Sequence, residues 1–373
     1  MERKVALLTM FDVLNYGSVL QAYASQIVME RLGYGCDLIN YAFPNEWHYK
    51  RGYGRSPFPR RIVGSIMRML NIKTPGMRKV DSFNLFKEEH LHLTKRFSSP
   101  DSLKKYEWGT YDTIIAGSDQ VWNPRFMKGD TAFLLDFAPD SIRKISFASS
   151  FACNEIGKEY HSDYNRLLSR FSSLSVRDRN GVEVMRSLGI ERDVKIMLDP
   201  TLLVGKEDWL EKLDIPASGN IEKDYILVYM LDYAFNPAPY IYDVARELQK
   251  KYECGIVFIG NIKEEDVKGF KDHSIANESN IGDFVSLFAN ARGVVTSSFH
   301  GTAFAVNFGK PLIAIVPDNG DDRQSSLLKK LGIERCSLKV NSKVLSPVPE
   351  YDVADVTHKL AEIRRDNLEW LSK

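Results

Sequence analysis

Short, nearly continuous apolar runs alternate along the chain with segments in which apolar residues recur every three or four positions. The run KVALLTMF, Lys4 to Phe11, is typical of a parallel strand that is buried on both faces. The segment from Ser18 to Gly33 has helical spacing and stops at a glycine. CDLINYAF, residues 36–43, predicts a second strand, so the three segments form a βαβ unit.

The same alternation continues to the end of the chain. Further strands are predicted at residues 113–118, 144–152, 173–178, 194–200, 225–231, 255–260, 293–298 and 311–317. Helices are predicted at 157–171, 180–188, 239–252, 281–291, directly after residue 300, at 322–332 and at 353–371. This is the pattern of α/β proteins with parallel sheets.

Two breaks in the pattern predict the domain organisation. Residues 44–110 are rich in turn formers and aromatic residues, and residues 216–224 are polar and contain Gly and Pro. We predict an N-terminal Rossmann-like domain at 1–215, with 44–110 as an insertion, and a C-terminal Rossmann-like domain at 216–373. The last helix is a candidate to pack on the N-terminal domain. Two such domains would face each other across a cleft, and ligands in open α/β sheets bind at the carboxyl ends of the strands.

The composition indicates the class of protein but not its binding partners. The 373 residues are 44% hydrophobic and carry a net charge of +1, as expected for a soluble globular protein. We expect a cytoplasmic protein, since the apolar run at the start is short and no run is long enough to cross a bilayer. The four cysteines show no ligand-like spacing, so we expect free thiols and no metal site.

One stretch of the sequence is strongly basic. From Lys50 to Lys79 there are nine Lys or Arg and no Asp or Glu. Such a local field attracts polyanions, phosphorylated substrates or an anionic membrane surface. A peripheral contact with the inner face of the membrane is one interpretation, and a solvated basic loop and helix is the other.

The turn after the first strand reads NYGS, and its residues Asn15, Tyr16, Gly17 and Ser18 are candidates for ligand binding. Gly17 permits close approach to the backbone, and Ser18 is a natural N-cap. The amide groups of the following helix would accept an anion. A plain turn with a cap is the alternative interpretation.

A second candidate turn, GSDQVWNP, follows the strand at 113–118. Its polar side chains are of the types that bind sugar hydroxyls, and its tryptophan would stack on a sugar face. The candidate residues are Gly117, Ser118, Asp119, Gln120, Trp122 and Asn123. A structural loop is the alternative, although loops at strand ends often carry function.

Two arginines are candidates for binding carboxylate or phosphate groups. Arg177 lies where a predicted strand ends, and an ion pair with Asp178 or another nearby acid is the alternative. Arg323 lies at a helix start, where the helix dipole disfavours a cation. Binding of an anion would explain that position, and so would a salt bridge to Asp321 or Asp322.

His300 lies in SSFHG, residues 297–301, between a predicted strand and a predicted helix. A histidine at such a junction can be a cap, a packed ring or a general acid–base. The other candidate turns are predicted at carboxyl ends of strands as well, so acid–base catalysis by His300 is our preferred interpretation. Gly301 would contribute a helix amide to an anion.

Several of these stretches together resemble the polysaccharide pyruvyl transferase family, in the family's order and over most of the chain. They are NYGSVLQAYA, AGSDQVWNP, SVRDRNGVEVMRSLG, LDPTLL, SSFHGTAFAVNFGKPLIAI and DRQSSLLKKLG. The resemblance implies a GT-B-like fold and transfer of pyruvate from phosphoenolpyruvate to a sugar, with no further cofactor. It also implies that His300 is the general acid–base and that Arg177 binds the donor.

One position departs from the family. Members often have an arginine two residues before the histidine, where this chain has Ser298. Loss of a charge-assisted contact would cost about 1.5–3 kcal/mol. Either Arg323, Lys310 or another cation replaces that arginine, or the donor differs.

Three functions follow from the sequence. The first is a pyruvyl (ketal) transferase that acts on a surface polysaccharide or its lipid-linked saccharide precursor. The second is a GT-B-type glycosyltransferase that uses a nucleotide sugar, and the third is a non-catalytic saccharide-binding protein. No nucleic-acid partner is expected.

Overall fold

The computed structural model describes residues 3–42, 74–216, 224–318, 322–343 and 349–373. The chain forms two compact units, one ending at Pro200 and the other running from Thr201 to Leu371. The predicted division at residue 216 lies later than this one, because residues 201–215 belong to the second unit. There the side-chain amide of Asn307 donates to the carbonyl oxygens of Thr201 and Val204, both at 2.9 Å.

Strands and helices alternate in the first unit as the sequence predicts. Its described strands are β1 (Arg3–Leu8), β2 (Tyr34–Leu38), β3 (Thr113–Ala116), β4 (Arg143–Ser146), β5 (Leu174–Val176) and β6 (Val194–Ile196). Its described helices are α1 (Tyr16–Arg31), α2 (Pro75–His90), α3 (Pro100–Lys104), α4 (Pro124–Met127), α5 (Lys158–Leu168) and α6 (Arg179–Ser187), with a 3₁₀ turn at Ala132–Leu134. Of the predicted insertion at 44–110, residues 44–73 lie outside the described residues.

The first unit's strands are parallel, in the order β2-β1-β3-β4. β5 pairs with β6, and isolated parallel bridges join Ile145 to Ser173 and Ser149 to Val176. These bridges continue the layer from β4 to β5. The order 2-1-3-4-5 is that of flavodoxin-like folds, whose ligands bind where the order reverses, between β1 and β3.

The second unit is a separate α/β layer. Its described strands are β7 (Tyr225–Met230), β8 (Gly255–Gly260), β9 (His273–Ile275), β10 (Gly293–Thr296), β11 (Leu312–Val316) and β12 (Ser337–Lys339). Its described helices are α7 (Pro200–Leu203), α8 (Lys206–Lys212), α9 (Tyr240–Tyr252), α10 (Glu264–Val267), α11 (Ile281–Asn290), α12 (Phe299–Asn307), α13 (Asp322–Leu331) and α14 (Val353–Ser372), with a 3₁₀ turn at Glu334–Cys336.

The strand order of the second unit is β12-β11-β10-β7-β8-β9. Counted from β7, this is the 3-2-1-4-5-6 order of a Rossmann fold, read from the opposite edge. The order reverses between β7 and β10, which pair in parallel from Gly293 with Ile226 to Thr296 with Tyr229. The two turns that follow β7 and β10 are therefore where a ligand is expected.

The last helix, α14, is held within the second unit. Arg364 on α14 donates to the carbonyl oxygen of Leu202 and to the side-chain oxygen of Asn307. Packing of this helix on the N-terminal domain stays a prediction.

Candidate active site

His300 is the second residue of α12, directly after β10. Its side chain is largely buried, at 7% exposure, and its ring lies edge-on to Phe299 with 5.4 Å between the centroids. The preceding Ser298 is the N-cap, and its Oγ accepts from the amide of Gly301 at 3.4 Å. The predicted strand–turn–helix junction at His300 is confirmed, and the histidine lies at the switch point of the second sheet.

Hydroxyl groups join the ends of β7 and β10 beneath His300. Ser297 Oγ donates to the carbonyl oxygen of Leu231 at 2.8 Å and accepts from the amide of the same residue at 2.9 Å. Thr296 Oγ1 donates to the carbonyl oxygen of Tyr229 at 2.8 Å and accepts from the amide of Ser298 at 3.0 Å. These hydrogen bonds connect the carboxyl ends of β7 and β10 at the switch point. They fix the geometry of the turn from which His300 projects.

Gly301 is required by close packing at the start of α12. A Cβ atom at this position would overlap Thr296 Oγ1 and would lie 2.9 Å from Cδ1 of Tyr229. Because its amide is already the partner of Ser298 Oγ, Gly301 serves as a packing residue here. Binding of an anion by this amide stays a prediction.

The two cations proposed to replace the missing family arginine lie at opposite edges of the second sheet. Lys310 directly precedes β11 and so lies at the amino-terminal edge, away from His300. Arg323 lies at the start of α13, which follows β11, and is half-buried. The next residue, Gln324, donates to Thr302 Oγ1 on α12 at 2.9 Å, so α13 starts beside the helix of His300.

Of these two cations, Arg323 is therefore the one on the edge of the second sheet that bears His300. Of the alternative partners for Arg323, residue 321 and the side chain of residue 322 lie outside the described part of the chain.

In the first unit, Asn15 and not Ser18 is the N-cap of α1. Asn15 Oδ1 accepts from the amides of Gly17 at 2.9 Å and Ser18 at 3.3 Å. The amides that were expected to bind an anion are therefore used by the cap. The Oγ of Ser18 instead donates to Asp119 Oδ2 at 2.8 Å, which connects the turn after β1 with the turn after β3.

Some residues of the GSDQVWNP turn remain candidates for ligand binding, and others belong to the hydrophobic core. Trp122 is fully buried, donates through Nε1 to the carbonyl oxygen of Phe133 at 3.0 Å, and contacts Phe151. The prediction that Trp122 stacks on a sugar is therefore wrong. Asn123 caps α4 and donates to Gln120 Oε1 at 3.3 Å.

Three further candidates of this turn have clear positions. Gly117 allows β3 to approach β1, since a Cβ there would lie 2.7 Å from Cβ of Thr9. Asp119 is buried with a left-handed φ of 73°, a conformation that Asp tolerates better than most residues. Gln120 is half-buried and lies at the carboxyl end of β3.

Arg177 forms a buried ion pair. Its guanidinium group is 2.7 Å from Asp199 Oδ2 and 3.8 Å from Asp119 Oδ1, and the side chains of Arg177 and Asp199 are 1% and 0% exposed. Asp199 Oδ2 also accepts from Ser118 Oγ at 2.9 Å. The ion-pair alternative for Arg177 is therefore what the structure shows, with Asp199 in place of Asp178.

Asp178 has a different role. It caps α6 by accepting from the amide of Gly181 at 2.8 Å, and it accepts from Ser150 Oγ at 2.7 Å. The carboxylates of Asp199 and Asp119 thus lie within 4 Å of the Arg177 guanidinium group and neutralise its charge.

Sequence reasoning missed Asp199, Thr9 and Gln21 as positioning residues. Thr9 Oγ1 donates to the carbonyl oxygen of Ser118 at 2.8 Å and accepts from Gln21 Nε2 at 2.9 Å. The only sequence signal was the place of Asp199 in LDPTLL, because long-range hydrogen bonds of buried polar groups have no local pattern.

The described residues contain neither a candidate metal site nor a candidate membrane-spanning helix. Within these ranges, no group of three or more His, Cys, Asp or Glu side chains is arranged to hold a metal ion. No helix among them combines the length and apolar character required to cross a membrane. The four cysteines are free, as predicted.

Comparisons with known proteins identify the family and the fold class of the chain. A family model described as polysaccharide pyruvyl transferase matches residues 15–319, a range that includes Asn15, Asp119, Arg177 and His300. No curated protein matches the chain.

Among solved structures, a glycosyltransferase from Rickettsia africae ESF-5 is 12% identical with a TM-score of 0.51, over 99% of this chain and 98% of that one. The UDP-GlcNAc 2-epimerase of Neisseria meningitidis is 12% identical, with a TM-score of 0.49 over 100% and 94% of the two chains. The heptosyltransferase WaaC of E. coli is 11% identical, with a TM-score of 0.45 over 96% and 99%. The first likeness and the strand orders confirm the predicted GT-B-like α/β class with two Rossmann-like units.

Proposed function

Because the chain belongs to the polysaccharide pyruvyl transferase family, we propose that it moves pyruvate from phosphoenolpyruvate to a sugar of a surface polysaccharide or of its lipid-linked precursor. The product is a ketal, and the by-product is inorganic phosphate. The observation that supports this most directly is the position of His300. It lies within the matched range, at the switch point of the second sheet and on a turn fixed by hydroxyl bridges.

The proposed reaction begins with proton transfer. Protonated His300 donates its proton to the methylene carbon of phosphoenolpyruvate, and C2 becomes electrophilic. A sugar hydroxyl attacks C2 and forms the first C–O bond, releasing its proton to the neutral imidazole. The phosphate then leaves with the electron pair of its C–O bond. A second hydroxyl of the same sugar attacks C2 and closes the ketal, and its proton passes to the released phosphate. His300, which the first hydroxyl has already reprotonated, is ready for the next turnover.

The donor needs cationic partners for its carboxylate and phosphate groups. We assign this role in the second unit to Arg323, which lies at the start of the helix next to α12. Arginine suits the role because its guanidinium group binds both carboxylate and phosphate in a bidentate manner. The mechanism requires no metal ion.

The acceptor is expected at the carboxyl edge of the first sheet. There Gln120 is the half-buried polar side chain of the turn after β3, and Asp119 and Asn123 hold its backbone and amide in place. A lipid-linked acceptor would bring the enzyme to a membrane. The basic stretch at 50–79, of which 50–73 lie outside the described residues, is the proposed contact, and flotation with anionic liposomes would test it.

The experiment that tests the role of His300 compares two histidine variants. His300→Asn is expected to slow phosphate release from phosphoenolpyruvate, in the presence of saccharide acceptor, by about 10²–10⁴-fold. Calorimetric binding of phosphoenolpyruvate should be retained. His358→Asn is the matched control, since His358 is an exposed residue on α14. Phosphate release by His300→Asn at the wild-type rate would exclude His300 as the acid.

A further inference from the structure

Lys79, on α2, has an unusual environment for a lysine. Its Nζ lies 4.6 Å from the ring centroid of Tyr16 and 5.9 Å from that of Phe83. The two rings contact each other, with 5.0 Å between their centroids. Among the residues that the structure describes, no carboxylate forms an ion pair with Lys79. The described contacts of its ammonium group are therefore with these two aromatic rings.

The position of Tyr16 places this ammonium group at the ligand-binding edge of the first sheet. Tyr16 is the first residue of α1, directly after the Asn15 cap, and α1 follows β1 at the switch point. Two residues later, Ser18 is bonded to Asp119 after β3. Lys79 thus lies beside the start of α1, whose preceding turn follows β1 and is hydrogen-bonded to the turn after β3. Flavodoxin-like folds bind ligands between these two strands.

Burial of this ammonium group is unfavourable and is not offset by a charge. Burial alone lowers the pKa of Lys79 to about 8, and the titratable group that faces it from α1 is the phenol of Tyr16. A cation–π contact offsets only part of the cost of burying an ammonium group.

Two carboxylates of the first unit, Asp12 and Asp199, form ion pairs with other cations. Asp12 forms ion pairs with Lys87 at 2.7 Å and with Arg96 at 3.1 Å. Asp199 is the partner of Arg177 at 2.7 Å. Lys79 is thus a cation of this edge that no described carboxylate neutralises, whereas Arg177 is neutralised.

We propose that Lys79 binds a phosphate group of a substrate at the carboxyl edge of the first sheet. The inference rests on the proposed function for its substrate class, since both phosphoenolpyruvate and a lipid-linked saccharide diphosphate contain phosphate. Lysine binds phosphate as a compact point charge with three donors. The bound phosphate supplies the negative charge that this position lacks.

The test is calorimetric titration of the full chain with two probes, phosphoenolpyruvate and inorganic pyrophosphate. The second probe stands for the diphosphate of a lipid-linked acceptor. Lys79→Met keeps an apolar stem over the rings and removes the charge, so it should weaken binding of one of the two probes by about tenfold to a hundredfold at pH 7. Lys79→Arg should retain most of the affinity.

A matched control exists on the same unit. Lys95 lies 4.7 Å from the centroid of the Tyr106 ring, and its side chain is exposed. Lys95→Met therefore removes the same kind of cation–π contact, and both affinities should remain those of the wild type. Circular dichroism of each variant verifies that it is folded.

The dependence on pH gives a readout that a purely structural lysine would not show. Bound phosphate favours the charged ammonium group, so the pKa of Lys79 rises on binding. Below pH 8 the group is charged in both states, and above about pH 8 the wild-type affinity should fall as binding takes up a proton. The ratio of the wild-type affinity to that of Lys79→Met should therefore decrease from pH 7 to pH 9.5, and this ratio cancels the titration of the ligand itself.

The outcomes separate this inference from the proposed function. Equal affinities of the wild type and Lys79→Met for both probes would overturn the role of Lys79, as would a folded wild type that binds neither probe. If phosphoenolpyruvate fails to bind but pyrophosphate binds and is weakened by Lys79→Met, the donor assignment is wrong and the role of Lys79 stands.

Discussion

Small side chains next to His300 in the sequence fix the backbone of the turn from which it projects. Thr296 and Ser297 use their hydroxyl groups to join β10 to β7, and Gly301 lets α12 start directly against these strands. None of these residues needs to touch a substrate. In the proposed mechanism they act through His300, because a general acid is effective only within hydrogen-bond reach of the atom that it protonates.

Gly301→Ala tests this packing argument. The added Cβ would overlap Thr296 Oγ1 and lie 2.9 Å from Cδ1 of Tyr229, so α12 must shift or strain must remain. We expect the free energy of unfolding in urea to fall by about 1–3 kcal/mol, and phosphate release to fall as well.

Gly269→Ala is the control for this variant. No atom lies within 4 Å of a Cβ at Gly269 in the same unit, so its stability should remain close to that of the wild type. Equal stability of the two alanine variants would show that the start of α12 accommodates a side chain, contrary to our account.

At the scale of single elements, the sequence predicted the order of strands and helices well. Buried parallel strands are short apolar runs, and the glycine and capping residues between them are local signals. The sequence did not indicate the distant partners of polar and amphipathic residues. Trp122 packs against Phe151 and Phe171, and Arg177 pairs with Asp199, which lies 22 positions further along the chain.

The N-cap of α1 is a second case in which a distant contact was not indicated by the sequence. Both Asn15 and Ser18 are good N-cap residues, and the helix starts one turn earlier than predicted because Asn15 Oδ1 accepts two amides. Ser18 is thereby left to bond with Asp119, a contact between separate βα turns that no local pattern indicates.

Ser298, at the position where family members often have an arginine, is the cap of α12. Its side chain is buried at 4% exposure and accepts from the amide of Gly301. Ser298→Ala should lower the free energy of unfolding by about 0.5–2 kcal/mol, and Ser298→Asn, which can still cap the helix, should lose less.

Restoring the family residue provides a contrasting variant. Ser298→Arg removes the cap and forces a guanidinium group into a buried position, so it should be less stable than Ser298→Ala in urea denaturation. A wild-type midpoint together with faster phosphate release in Ser298→Arg would contradict this view and would indicate that the position remains a donor-binding site.

At the scale of the whole molecule, two α/β units with different strand orders each present a switch point with polar residues. The second has the Rossmann order and His300, and the first has the flavodoxin-like order with Asp119, Gln120 and the aromatic-bound Lys79. The family membership of the chain gives the reaction class. The fold by itself does not identify the donor, since similar folds serve nucleotide sugars in other enzymes.

Binding of the donor is the measurement that tests the central claim most directly. Thermal unfolding of the full chain should be followed with phosphoenolpyruvate and, separately, with a nucleoside diphosphate. We predict stabilisation by phosphoenolpyruvate, about 2.7 kcal/mol at a concentration of 100 times Kd, and no shift with the nucleoside diphosphate. Stabilisation by the nucleoside diphosphate alone would contradict the account and would indicate a glycosyltransferase.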